Sequence, residues 1–135
     1  MISISVQEKD FDVGEEYRQL QSDNTCIGGV AIFTGQVRDL VDNPLKFMRL
    51  EHYPGMTEKS LQQTAEQATK RWPVIDICII HRIGDLVPGE QIVFVGVSSA
   101  HPTDCGKALS VRYKPANWLK LYCCIAPSVC AFVLD

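Results

Sequence analysis

The run Ile92 to His101, IVFVGVSSAH, constrains the fold more than any other stretch. It is apolar for six residues, four of them β-branched, long enough for a strand to cross a protein core, and then ends in small hydroxyl residues and a histidine. Such a strand delivers Ser98, Ser99, Ala100 and His101 to its own exposed end. A second β-rich run, VIDICIIHRIG from Val74 to Gly84, lies just upstream. The segment DLVPGEQ joins the two, and its Pro88-Gly89 pair reverses the chain.

The other elements follow from period and punctuation. Ile2 to Val6 alternates as a half-exposed strand does. Asp12 stands three residues before Glu15, the capping-box spacing, ahead of a short helix over EEYRQLQ. In CIGGVAIFTGQVR a strand is expected through Phe33, with a glycine pair at its entry and Gly35 at its exit. Lys46 to Tyr53 is expected to be another. A helix follows with Thr57 as N-cap, one apolar stripe of Leu61, Ala65, Ala68 and Trp72, a solvent-side pair Glu66 and Lys70, and Pro73 as its stop. The order β-α-β-β-α-β-β followed by a tail, without repeat or linker, predicts one domain over residues 1–135. Its class is α+β, a mixed sheet with packed helices.

At 135 residues, 46% hydrophobic and 21% charged, the chain has the size and balance of a single globular domain. A net charge of -3 argues against a nucleic-acid surface, though not against a local anion pocket. MISISVQEKDFDVGEE lacks the basic leader and apolar core of a secretory signal, and no window approaches a membrane span of roughly 18 apolar residues. These features point to the cytoplasm. The six cysteines include no C-x-x-C pair, so no metal site is expected. Cys26 and Cys78, each isolated, are expected to be buried reduced thiols.

Four clusters could carry chemistry. In FTGQVR, Gly35 precedes Arg38 at the mouth of a strand, where amides and a guanidinium can receive a phosphate or carboxylate. The alternative is an arginine paired with a neighbour such as Asp39. His101, at the end of its strand, can donate to an anion or carry a proton, or it can be a capping or surface histidine. Glu51, His52 and Tyr53 alternate faces of a strand, so they cannot all share one site, and packing is the first reading for them. His81-Arg82 reads as a strand-end pair facing water or a subunit contact as readily as a catalytic one. No dinucleotide, P-loop, nucleophile-elbow or H-E-x-x-H signature occurs, and no cofactor is expected. The resulting expectation is that Arg38 and His101, at adjoining sheet termini, converge on one hollow that holds an anionic metabolite.

In this order, FTGQVRD, LEHYPGMTEKSL, RWPV and IHRIGDLVPGEQIVFVGVSSAH resemble the large, catalytic subunit of molybdopterin synthase over roughly Phe11 to His101. The resemblance implies an α/β hammerhead-type fold and a homodimer, with a small ubiquitin-like sulfur carrier bound at each end. It implies sulfur transfer from the carrier's C-terminal thiocarboxylate to cyclic pyranopterin monophosphate, which forms the dithiolene of the molybdenum cofactor. Gln36, Val37, Arg38 and His101 would then line the substrate site. Two other readings are an inactive scaffold that dimerises or binds the carrier, and a binding module for another phosphorylated metabolite.

Beyond His101 the family pattern continues with an arginine, a long amphipathic helix and a lysine-bearing segment. Here Pro102 takes the arginine's place, and Gly106 and Pro115 are expected to interrupt the helix at about 1 and 3 kcal/mol against alanine. Lys120, in WLK, is the one lysine with motif support for a catalytic role. Residues 102–135 form an atypical tail in which acids thin to Asp104 and Asp135 while four of the six cysteines gather. A shifted reading frame would produce such a change. Reading the coding DNA in the neighbouring frame tests this, and finding no lysine-bearing helix there ends the idea.

Overall fold

A computed structural model describes residues 1–38, 47–50 and 54–112. Along the chain run β1 (Ile2–Gln7), α1 (Val13–Gln21), β2 (Gly29–Gln36), β3 (Met48–Leu50), α2 (Met56–Arg71), β4 (Val74–Arg82), β5 (Gly84–Leu86), β6 (Gln91–Ser99) and α3 (Pro102–Arg112). Four strands form a sheet in the order β1-β4-β6-β2, while β3 and β5 form a separate two-stranded ribbon. β1 lies parallel to β4, whereas β4 with β6 and β6 with β2 are antiparallel, so the sheet is mixed. The α+β class expected from the element order is the class observed.

β6 is buried along nearly its whole length because it lies inside the sheet and both faces are covered. Val93, Val95 and Val97 join Ile77 and Ile79 of β4, Leu61, Ala65 and Ala68 of α2, and Cys105 and Ala108 of α3 in the larger core. On the opposite face, Phe94 and Ile80 pack with Phe11 and with Leu20 of α1. Gly96 makes room for that helix, since a Cβ there would lie 2.2 Å from Leu20 Cδ1.

The local signals account for most helix ends. Asp12 Oδ1 accepts a hydrogen bond from the Glu15 amide at 2.8 Å, which caps α1 as its spacing predicts. The cap of α2 is two residues earlier than expected. Gly55 takes φ +84, a conformation glycine alone adopts freely, and its N–H donates to Glu58 Oε2 at 2.9 Å. Thr57 is instead buried within the first turn, in line with Leu61, Ala65 and Ala68. β5 is an additional strand that no local pattern marks. It occupies part of the segment read as a turn and pairs with β3, where Arg49 forks onto Asp85 at 2.8 and 3.2 Å and holds that carboxyl below the usual range.

The helix after His101 is also more continuous than expected. α3 starts at Pro102, a residue suited to a first helical position because no partner is required for its nitrogen, and it runs through Gly106 to Arg112. Glycine lowers helix stability without removing a hydrogen bond, so packing on β2 and β6 outweighs it. A Cβ at Gly106 would meet open space. Gly106→Ala is therefore expected to raise Tm by about 2–4 °C, corresponding to roughly 0.5–1 kcal/mol, checked by thermal unfolding followed by circular dichroism.

Candidate functional site at the ends of β2 and β6

Arg38 lies two residues beyond β2 with an exposed side chain, and Gln36 is exposed as well. Val37, between them, is only 2% exposed and belongs to the larger core. Its side chain thus anchors the segment rather than lining a site. Its backbone is held equally firmly: the Val37 N–H donates to Glu90 O at 2.9 Å, and its carbonyl accepts from the Gly89 N–H at 2.8 Å. Pro88-Gly89 makes the expected reversal, with Gly89 at φ +92 and the Glu90 N–H donating to Val87 O at 3.1 Å. The Glu90 carboxylate closes the same turn by accepting from the Val87 N–H at 2.7 Å. A rigid turn therefore grips Val37 and fixes where Arg38 leaves the sheet.

His101 is exposed at the joint between β6 and α3. Its carbonyl accepts from the Ser99 hydroxyl and from the Asp104 N–H, which opens the helix. Ser98 and Ser99 are fully buried, so they build the joint rather than face a ligand. The glycine pair at the entry to β2 is explained here. A Cβ on Gly28 would lie 2.0 Å from Ala100 O, and one on Gly29 would lie 2.7 Å from Pro102 Cα.

Arg38 and His101 do not converge within one chain. Gly29 pairs with Ser99 and Gln36 with Gln91, so Arg38 is at the start of β6 and His101 at its end. The nine residues of β6 separate the two groups by roughly 25 Å. Both residues follow strand exits, but exits share a sheet edge only when strands run parallel, and these are antiparallel.

His81 and Arg82 also differ from expectation: they are 2% and 6% exposed, not facing water. β4 lies between β1 and β6, and partners for both side chains are found inside. His81 Nδ1 is 2.8 Å from Arg82 O, an acceptor, so this nitrogen carries the proton. Arg82 Nε and Nη2 donate to Glu8 O at 3.2 and 2.9 Å, and Nη1 donates to Gln91 O at 3.0 Å. Asp10 and Glu90 carboxylates lie 3.7 and 3.9 Å from Nη1. HRIG places the arginine at the end of an apolar strand, but the partners that allow its burial come from distant segments. Glu51, His52, Tyr53 and Lys120 lie outside the described residues.

Of the two isolated cysteines, Cys26 is exposed and Cys78 half-buried, so burial fails for the first. Burial, with the Glu16 carboxylate beside it, pushes the Cys78 thiol up to about 11. Folding thus favours the protonated thiol, and this contribution to stability is lost as pH rises from about 9 through about 11. At pH 8 about one Cys78 in a thousand is thiolate, so alkylation resolved by mass spectrometry is expected to label Cys26 far ahead of Cys78.

A family model described as MoaE protein matches residues 6–112. The chain belongs to the MoaE family. Its match extends beyond the Phe11 to His101 stretch at both ends, crosses Pro102 and takes in α3. The chain is 52% identical over 100 residues to the molybdopterin synthase catalytic subunit of Vibrio cholerae, which covers 73% of this chain and 65% of that protein. A solved structure of molybdopterin cofactor biosynthesis protein E from Burkholderia multivorans superposes with a TM-score of 0.72 at 46% identity, covering 80% of this chain and 70% of the other. Molybdopterin synthase from Staphylococcus aureus superposes with a TM-score of 0.67 at 32% identity, covering 78% and 75%. The MoaE fold is thus the fold of this chain. The chain spans about two thirds of the length of its Vibrio cholerae relative.

Proposed function

We propose that this MoaE chain is the catalytic subunit of a molybdopterin synthase. In this reading it transfers sulfur from the C-terminal thiocarboxylate of a small ubiquitin-like carrier to cyclic pyranopterin monophosphate. The observation that carries the reading is the presentation of Arg38. An exposed guanidinium follows a residue that is buried and hydrogen-bonded at both backbone polar atoms, so the cation's base is placed before any ligand arrives. A planar guanidinium suits a phosphate because it can donate two parallel hydrogen bonds. The 52% identity to a protein named molybdopterin synthase catalytic subunit supplies the reaction class.

A single chain holds Arg38 and His101 too far apart to touch one phosphate. The homodimer implied by the family resolves this, because a two-fold axis can bring the Arg38 end of one copy beside the His101 end of another. Each dimer then carries two equivalent composite sites. Gln36, exposed next to Val37, lines the same site, while Val37 contributes by anchoring. Within such a site the phosphate is held while the thiocarboxylate sulfur reaches the pterin, with Lys120 assisting proton and acyl transfer.

The decisive experiment supplies thiocarboxylated carrier and cyclic pyranopterin monophosphate with this chain as the only large subunit. Dithiolene formation is the expected result. Carrier capture without turnover would instead make the chain a scaffold. Phosphate-ligand binding without carrier capture would make it a module for another metabolite.

A further inference from the structure

We propose that Arg82, acting through the Val87–Gln91 turn, is a positioning residue for Arg38. This rests on the functional reading above. Arg82 touches neither Arg38 nor a ligand, yet it lies behind the joint that presents Arg38. Its guanidinium ties the end of β1, through Glu8 O, to the first residue of β6, through Gln91 O. It also lies 3.9 Å from the Glu90 carboxylate that closes the turn. The backbone carbonyl of Glu90 is the acceptor for the Val37 N–H, and Arg38 is the next residue. One buried cation is therefore linked, through two consecutive residues of a turn, to the base of the exposed one. Gln91 reinforces the anchor through its side chain, which donates to Asp10 Oδ1 at 3.1 Å and Phe11 O at 2.8 Å.

The chemistry calls for arginine. Three of its nitrogens reach carbonyls on two segments at once, with two carboxylates nearby, which a fixed planar fork allows. Lysine carries the charge but concentrates its donors on one atom, so it cannot hold Glu8 O and Gln91 O in the same spacing. With Lys at 82 the turn loses its reference point, and Arg38 meets a phosphate from a wider range of positions.

The test is a double-mutant cycle read by calorimetric titration of the full chain with cyclic pyranopterin monophosphate, carried to millimolar ligand. Arg82→Lys is expected to weaken binding about tenfold in the wild-type background and less than about twofold with Arg38→Ala already present. Gly89→Ala strains the same turn from its open side, at φ +92, and is expected to behave alike. It carries the cycle if Arg82→Lys fails to fold. Arg38→Ala binding as tightly as wild type overturns the functional reading, and the positioning role with it. Weak Arg38→Ala binding overturns the positioning role alone if the turn variants stay tight. The same holds if they weaken binding by one factor in both backgrounds, as a merely structural residue would.

Discussion

Co-expressing Arg38→Ala and His101→Ala chains is expected to restore about a quarter of the wild-type sulfur-transfer rate, although each variant alone falls about 100-fold or more. The separation of the two residues across the length of β6 makes this a sharp result. If one site needs both groups, they must come from different copies. In a mixed dimer one site lacks both groups and the other has both. Random assortment makes half of the dimers mixed, and half of their sites are intact, which gives the quarter. If each group acted in a site of its own within a single chain, mixing would restore nothing. Sulfur transfer measured on the co-purified mixture, against the two variants combined without exchange, decides the matter.

Gly28→Ala is expected to be the most damaging small substitution in the described fold, costing about 3 kcal/mol or more, and to lower Tm by about 10 °C. Its Cβ would lie 2.0 Å from the Ala100 carbonyl oxygen and 3.0 Å from the carbonyl carbon, so the obstruction is backbone rather than a side chain that can turn away. The Gly28 N–H also donates to Ser99 O at 2.9 Å, and any retreat stretches that bond. The strain falls on residues 99–102, which carry His101, so activity is expected to fall further than stability alone accounts for. A Tm within 2 °C of wild type would refute the close approach. Gly106→Ala, a single methyl in open space, provides the contrast.

Much of the fold was legible in the chain because it depends on short-range physics. The Asp12 cap, the stripe of α2, the reversal at Pro88-Gly89 and the strand character of β4 and β6 each depend on residues a few positions apart. The misreadings share a different cause. Thr57 was a good cap by residue type, but Gly55 reached a left-handed backbone first and Glu58 completed the bond. His81-Arg82 suited an exposed strand end until Glu8, Asp10 and Gln91 supplied the partners that make burial tolerable. Gly106 reads locally as a helix interruption because the packing that offsets it is contributed by β2 and β6.

By itself the sequence determined most of the segments that become strands and helices, the mixed α+β class, and, through the order of its motifs, the family. Tertiary structure alone decided that β2 and β6 run in opposite directions, that Arg82 turns inward, and that a guanidinium and an imidazole from one chain face opposite ends of the sheet. The reason is range: capping and periodicity act over three or four residues, whereas pairing Gly29 with Ser99 joins backbone groups from distant parts of the chain. No local pattern records the direction of that pairing.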